Sequence, residues 1–229
     1  MTAGVFADRR EAGRLLAQRL GAIETAKPVV VALPRGGVPV GYEVARALAA
    51  PLDVLVVRKL GAPGNAELGV GAIAEGGTAV LDPAMARRVG MDQQALDATA
   101  EREMVELNRR VERYRAGRAP VEVRDATAIV VDDGLATGLT TLAAVRALRS
   151  RGAARIIVAV PVGTREAVAL LAVEADEVVC HTIPRQLVAV GHWYRDFEAV
   201  PDETVVEMLA RRADAPRPRG PEGLDTEAM

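Results

Sequence analysis

The chain has 229 residues, a length for one domain or one domain with a subdomain, and half of them are apolar, enough for a sizeable core. Its net charge of −2 argues against nucleic acid or a membrane as an obligatory partner. A single cysteine, Cys180, excludes an intrachain disulfide and predicts a reducing, cytoplasmic setting; charges at positions 8–11 leave no apolar leader core, and no apolar run reaches the roughly 18 residues of a membrane span.

In chain order, Asp8 is a candidate N-cap, and Ala12, Leu15, Leu16 and Leu20 give residues 8–20 the apolar face of an amphipathic helix. Residues 28–33 read as a buried strand. It ends in Pro34-Arg35-Gly36-Gly37, where glycine amides and a guanidinium suit an anion. Val40, Val44, Ala45 and Leu48 then keep helical spacing. Residues 52–57 predict another core strand, with Arg58 and Lys59 at its end. The glycine-rich stretch 61–77 lacks helical periodicity, but Val70–Ala74 and Thr78–Leu81 could pair as a hairpin. A long helix is predicted over 92–117, its stripe of Leu96, Ala100, Met104, Leu107, Val111 and Tyr114 fitting either the core or a second copy of the chain.

Thr127–Val131 is a β-branched run, the signature of a buried parallel strand. Asp132 and Asp133 follow, then a turn bracketed by Gly134 and Gly138 beside Thr137, Thr140 and Thr141, then a helix over 139–149. Amides, hydroxyls and a helix N-terminus suit one phosphate. Two aspartates would repel a second phosphate, and suit hydroxyls, a metal ion or developing positive charge. A P-loop is disfavoured because no Lys precedes Thr140. Residues 155–161 and 177–181 predict further strands around a helix over 165–174, so the fold class is α/β, a doubly wound, mostly parallel sheet with helices on both faces. Aromatic residues are only 3% of the chain, yet Trp193, Tyr194 and Phe197 cluster in Val190–Phe197, which suits a planar ligand or a segment anchor. His181 and His192 lack metal-ligand company, and the Pro-rich residues 213–229 read as a disordered tail.

The strand, acidic pair and Thr-Gly-x-Thr loop at 127–141 resemble the phosphoribosyl-pyrophosphate motif of the type I phosphoribosyltransferases, and the resemblance extends over about 28–197. It implies that Asp132 and Asp133 hold the ribose hydroxyls as the catalytic pair. Ala136, Thr137, Gly138, Leu139, Thr140 and Thr141 would then cradle the 5′-phosphate. Arg35, Gly36 and Gly37, with Arg58 and Lys59, would face pyrophosphate, and a non-proline cis peptide is implied at Pro34–Arg35 or Arg35–Gly36. It further implies a mobile loop within 61–77, where Glu67 is a weak candidate, a helical insertion at about 90–118 and a hood at about 182–200. In the hood Trp193 or Tyr194 would stack on the acceptor and Asp196 would bind its edge. Mg²⁺ would bind indirectly, through substrate and the acidic pair. The implied partners are phosphoribosyl pyrophosphate and a small acceptor such as a nucleobase, with a homodimer as a further expectation. Ala136 stands where 6-oxopurine members carry Asp, which weakens a hypoxanthine or guanine assignment. The alternative is a regulatory or nucleotide-sensing protein on the same fold.

Overall fold

The computed structural model describes residues 6–62 and 65–213, without the side chains of 65–67; the tail from 214 and the candidate Glu67 side chain lie outside these. Five strands form the central sheet: β1 (Pro28–Ala32), β2 (Leu52–Val54), β6 (Thr127–Val131), β7 (Arg155–Val162) and β8 (Glu177–Thr182). Their order is β2-β1-β6-β7-β8, and every pairing is parallel. The central strand β6 is buried throughout, and its side chains alternate between two cores. Ile129 and Val131 belong to the core shared with α1 (Arg9–Leu20), α2 (Gly37–Ala47) and α7 (Asp202–Ala213); Ala128 and Val130 belong to the core shared with α5 (Leu139–Ser150) and α6 (Arg165–Leu171). Period-two alternation of apolar residues on a strand buried on both faces is what a doubly wound sheet requires.

A second sheet is antiparallel: β3 (Val57–Ala62), β4 (Asn65–Ala74) and β5 (Ala79–Leu81). The hairpin expected between Val70–Ala74 and Thr78–Leu81 is its β4–β5 pair, with Ala72 opposite Val80. One expectation is corrected here. The core strand ends at Val54, and Arg58 and Lys59 lie inside β3, which packs against α5 and α4 (Gln93–Arg115). Adjacent strand residues point to opposite faces, so the two cations cannot act together. A short helix, α3 (Pro83–Arg88), capped by Asp82 with Pro83 in its first turn, adds an element that the sequence pattern does not single out.

The apolar stripe of α4 is spent within the chain: Leu96, Leu107 and Tyr114 are buried in the core. Its C-terminal end is pinned by Arg115, which is 7% exposed and donates to Glu75 at 2.5 Å and to the Val54 carbonyl at 3.0 Å. No described helix is long and apolar enough to cross a membrane.

Candidate active site

In the sheet order the chain runs outward from β1 to β2 on one side and from β6 through β8 on the other. The switch point is therefore the β1/β6 boundary, and ligands of open α/β sheets bind outside the carboxyl ends of the strands there. The loop after β1 is Leu33–Gly36, and the loop after β6 runs from Asp132 to Gly138. The two candidate loops thus share one crevice.

The loops touch. The Leu33 amide donates to the Val131 carbonyl at 2.8 Å, and the Pro34–Arg35 peptide is cis, at one of the two bonds that the resemblance indicated. A Cβ on Gly36 would lie 1.9 Å from Oδ2 of Asp133, and one on Gly37 would lie 2.6 Å from the Val131 carbonyl oxygen. Only glycine lets this loop lie against the acidic pair. Arg35 is partly exposed, with its guanidinium 3.7 Å from Asp202 at the start of α7. Asp202 is held in turn by the Tyr114 hydroxyl at 2.7 Å and by Arg113 at 3.0 Å. Burial, with help from Asp202, pushes the Tyr114 phenol up to about 12.

On the other side, Gly138 takes φ +79° and opens α5. The first-turn amides of α5 have no intrahelical acceptor, the ordinary condition of a helix N-terminus that binds an anion. Ala136 and Thr137 are exposed, Leu139 and Thr140 half-buried. Thr141 is 1% exposed, and its hydroxyl is buried with no partner among the described residues, so its contribution to a cradle is its amide. Thr164, which the sequence pattern does not single out, anchors the loop: its hydroxyl donates to the Ala136 carbonyl at 2.9 Å and its amide to the Leu135 carbonyl.

The aspartates are not equivalent. Burial raises the pKa of Asp132 well above the ordinary carboxylate value, and the neighbouring Asp133 charge raises it further; Lys59 and Arg9 pull the other way. Burial also raises Asp133, but Arg9 Nε donates to its Oδ2 at 2.8 Å and opposes the shift. Among the described residues Asp132 Oδ1 accepts only the Asp133 amide, at 2.8 Å. Lys59 is exposed on β3 and its charge pulls the Asp132 pKa down, whereas Arg58 faces α4 and is tied to Glu103 at 2.7 Å.

The hood departs from expectation at Tyr194. Its ring is 5% exposed and packs 5.3 Å from Phe6 and 5.0 Å from Phe197, while its hydroxyl donates to the Asp133 carbonyl at 2.6 Å. Burial, with the Asp133 charge, pushes this phenol far up, which keeps it a donor. Tyr194 props the acidic pair and offers no face for stacking. Asp196 is exposed and accepts the Glu198 amide at 3.1 Å, a local cap, and Trp193 stays half-exposed. Tyr194→Phe leaves the Asp133 carbonyl without its donor and is expected to cost about 1–2 kcal/mol, read as a lower urea midpoint with an unchanged slope.

The family model of the phosphoribosyl transferase domain matches residues 7–195. A protein of Mycobacterium tuberculosis strain H37Rv, provisionally named a phosphoribosyl transferase, is 48% identical over 207 residues, covering 90% of this chain and 47% of its own length. A protein of strain CDC 1551 with the same provisional description matches to the same extent, so the chain spans about half the length of the curated relatives it matches. The crystal structure of the Thermus thermophilus protein TT1426 is similar at 46% identity and a TM-score of 0.77, covering 90% of this chain and 98% of that one. The match runs through both loops of the crevice and most of the hood, and the chain belongs to the phosphoribosyl transferase domain family.

Proposed function

We propose that this chain transfers ribose 5-phosphate from phosphoribosyl pyrophosphate to a nitrogenous base or similar acceptor, releasing pyrophosphate. The observation that carries the reading is the crevice at the β1/β6 switch, where two anion-suited loops flank one acidic pair. The N-terminus of α5 suits the 5′-phosphate, and Arg35 with the amides of its loop suits pyrophosphate. Between them, Asp132 suits the ribose hydroxyls and the positive charge that builds on the ribose ring as the bond to pyrophosphate breaks. Among the described residues no group of three or more His, Cys, Asp or Glu gathers to hold a metal. Two half-buried carboxylates, one with a single amide partner, fit Mg²⁺ held largely by substrate oxygens and water. The ion would neutralise charge on the departing pyrophosphate. Trp193 remains the candidate acceptor platform, and a cytoplasmic setting fits the composition.

The test is pyrophosphate release from phosphoribosyl pyrophosphate with Mg²⁺ across a panel of purine and pyrimidine bases, beside the double variant Asp132→Asn, Asp133→Asn. Base-dependent release that the variant loses is the expected result and names the acceptor. Tight donor binding without release from any base would move the assignment to a sensor.

A further inference from the structure

Arg9 lies at the first position of α1, where the helix dipole disfavours a cation, so helix stability does not account for it. Asp8 caps this helix by accepting the Glu11 amide at 2.7 Å, which fixes where Arg9 departs. The Arg9 side chain is 11% exposed and its guanidinium is engaged on several sides. Nε donates to Asp133 Oδ2 at 2.8 Å, Nη1 donates to the Glu198 carbonyl at 2.9 Å, and Cζ sits 3.8 Å from the centre of the Phe197 ring. The chain on either side is registered to the hood as well: the Phe6 amide donates to the Trp193 carbonyl, and the amides of Arg195 and Asp196 donate to the carbonyls of Phe6 and Ala7.

We infer that Arg9 is a positioning residue of the proposed transfer, fixing the Asp133 carboxylate and tying it to hood segment 194–198, so that the acceptor side of the crevice sets the geometry of the donor side. The inference rests on the phosphoribosyl-transfer reading. It divides the labour of the acidic pair. Asp133 is held from three directions, by Arg9 on its carboxylate, by Tyr194 on its carbonyl and by Asp132 on its amide, whereas the Asp132 carboxylate has no guanidinium partner among the described residues. A planar, stacked guanidinium suits this role because it grips two acceptors in fixed geometry while resting on an aromatic face, which a lysine cannot do.

The experiment measures binding of phosphoribosyl pyrophosphate with Mg²⁺ by calorimetry, for wild type, Arg9→Gln, Arg9→Lys, Asp133→Asn and the double variant Arg9→Gln, Asp133→Asn, with melting curves to confirm folding. Arg9→Gln is expected to weaken binding by roughly tenfold or more, and Arg9→Lys to recover part of that loss. In the Asp133→Asn background Arg9→Gln should add little, because an effect passing through Asp133 is not additive with its removal. Wild-type affinity in Arg9→Gln, or the same loss in both backgrounds, overturns the inference. Should Arg9→Gln not fold, Phe197→Leu removes the stacking face and leaves both charges; unchanged binding there also overturns it. A wild type that neither binds the donor nor releases pyrophosphate would instead sink the transferase reading, and this inference with it.

Discussion

Asp132→Asn is expected to lower pyrophosphate release by roughly a hundredfold or more, the scale seen when one preorganised charge partner of a transition state is removed. It should also make the protein more stable at neutral pH. Burial and the neighbouring Asp133 raise the Asp132 pKa well above its ordinary value, so the folded protein holds this proton more tightly than the unfolded chain does. The stability it contributes is therefore present at low pH and lost as pH rises from the ordinary carboxylate value through the raised one. At neutral pH this raised pKa opposes folding, because the unfolded chain gives up the proton more readily, and a neutral isostere relieves that cost, read as a higher Tm. The gap between variant and wild type should close as pH falls and both side chains become neutral. Melting curves between neutral pH and the carboxylate range check the sign: a variant less stable than wild type at neutral pH contradicts the strained, ligand-facing role.

Gly36→Ala and Gly37→Ala are expected to fail in different ways. The Gly36 backbone is ordinary, with φ −60°, so alanine costs nothing in conformation. Its Cβ would meet Asp133 Oδ2 at 1.9 Å, a carboxylate that Arg9 holds in place. The loop and the acidic pair must separate, and activity should fall by roughly tenfold or more, with an overpacking penalty of about 1–3 kcal/mol. At Gly37 the obstacle is backbone: the Cβ would lie 2.6 Å from the Val131 carbonyl and 3.0 Å from the Asp132 Cα. The end of the central strand cannot swing aside as a side chain can, so Gly37→Ala should show the larger loss of stability. Urea denaturation beside donor-binding titrations separates the two. Equal stability and wild-type binding in both would mean that the loop does not lie against the pair in solution.

The outline of the fold and the position of the site are legible in the sequence because they rest on local signals. Thr127–Val131, buried at every residue, announces a parallel core strand, and the following Asp132–Thr141 announces an anion loop from residue types alone. Asp8 as N-cap, the β4–β5 pairing and the span of α4 follow from spacing and turn chemistry. The misreadings have one physical cause. Reading Arg58 and Lys59 as one strand-end pair takes adjacency in sequence for adjacency in space, whereas alternation in β3 sends one to Glu103 and leaves the other exposed. Reading Tyr194 as a platform fails because aromatic clustering reports stacking capacity and not burial, and only the packing of Phe6 and Phe197 shows that its ring is used up.

Arg9 escapes the sequence reading altogether, although a cation at the first position of a capped helix is a visible anomaly. Its partner is Asp133, far along the chain, and no periodicity encodes a contact of that separation. By itself, then, the sequence determined which segments become strand, loop and helix, and which loops can bind anions, since these follow from backbone preferences and neighbouring residues. The tertiary structure alone decided which carboxylate a guanidinium holds, and which cation is tied up in an ion pair. Those properties depend on burial and on charges from distant segments, which exist only once the chain has closed on itself.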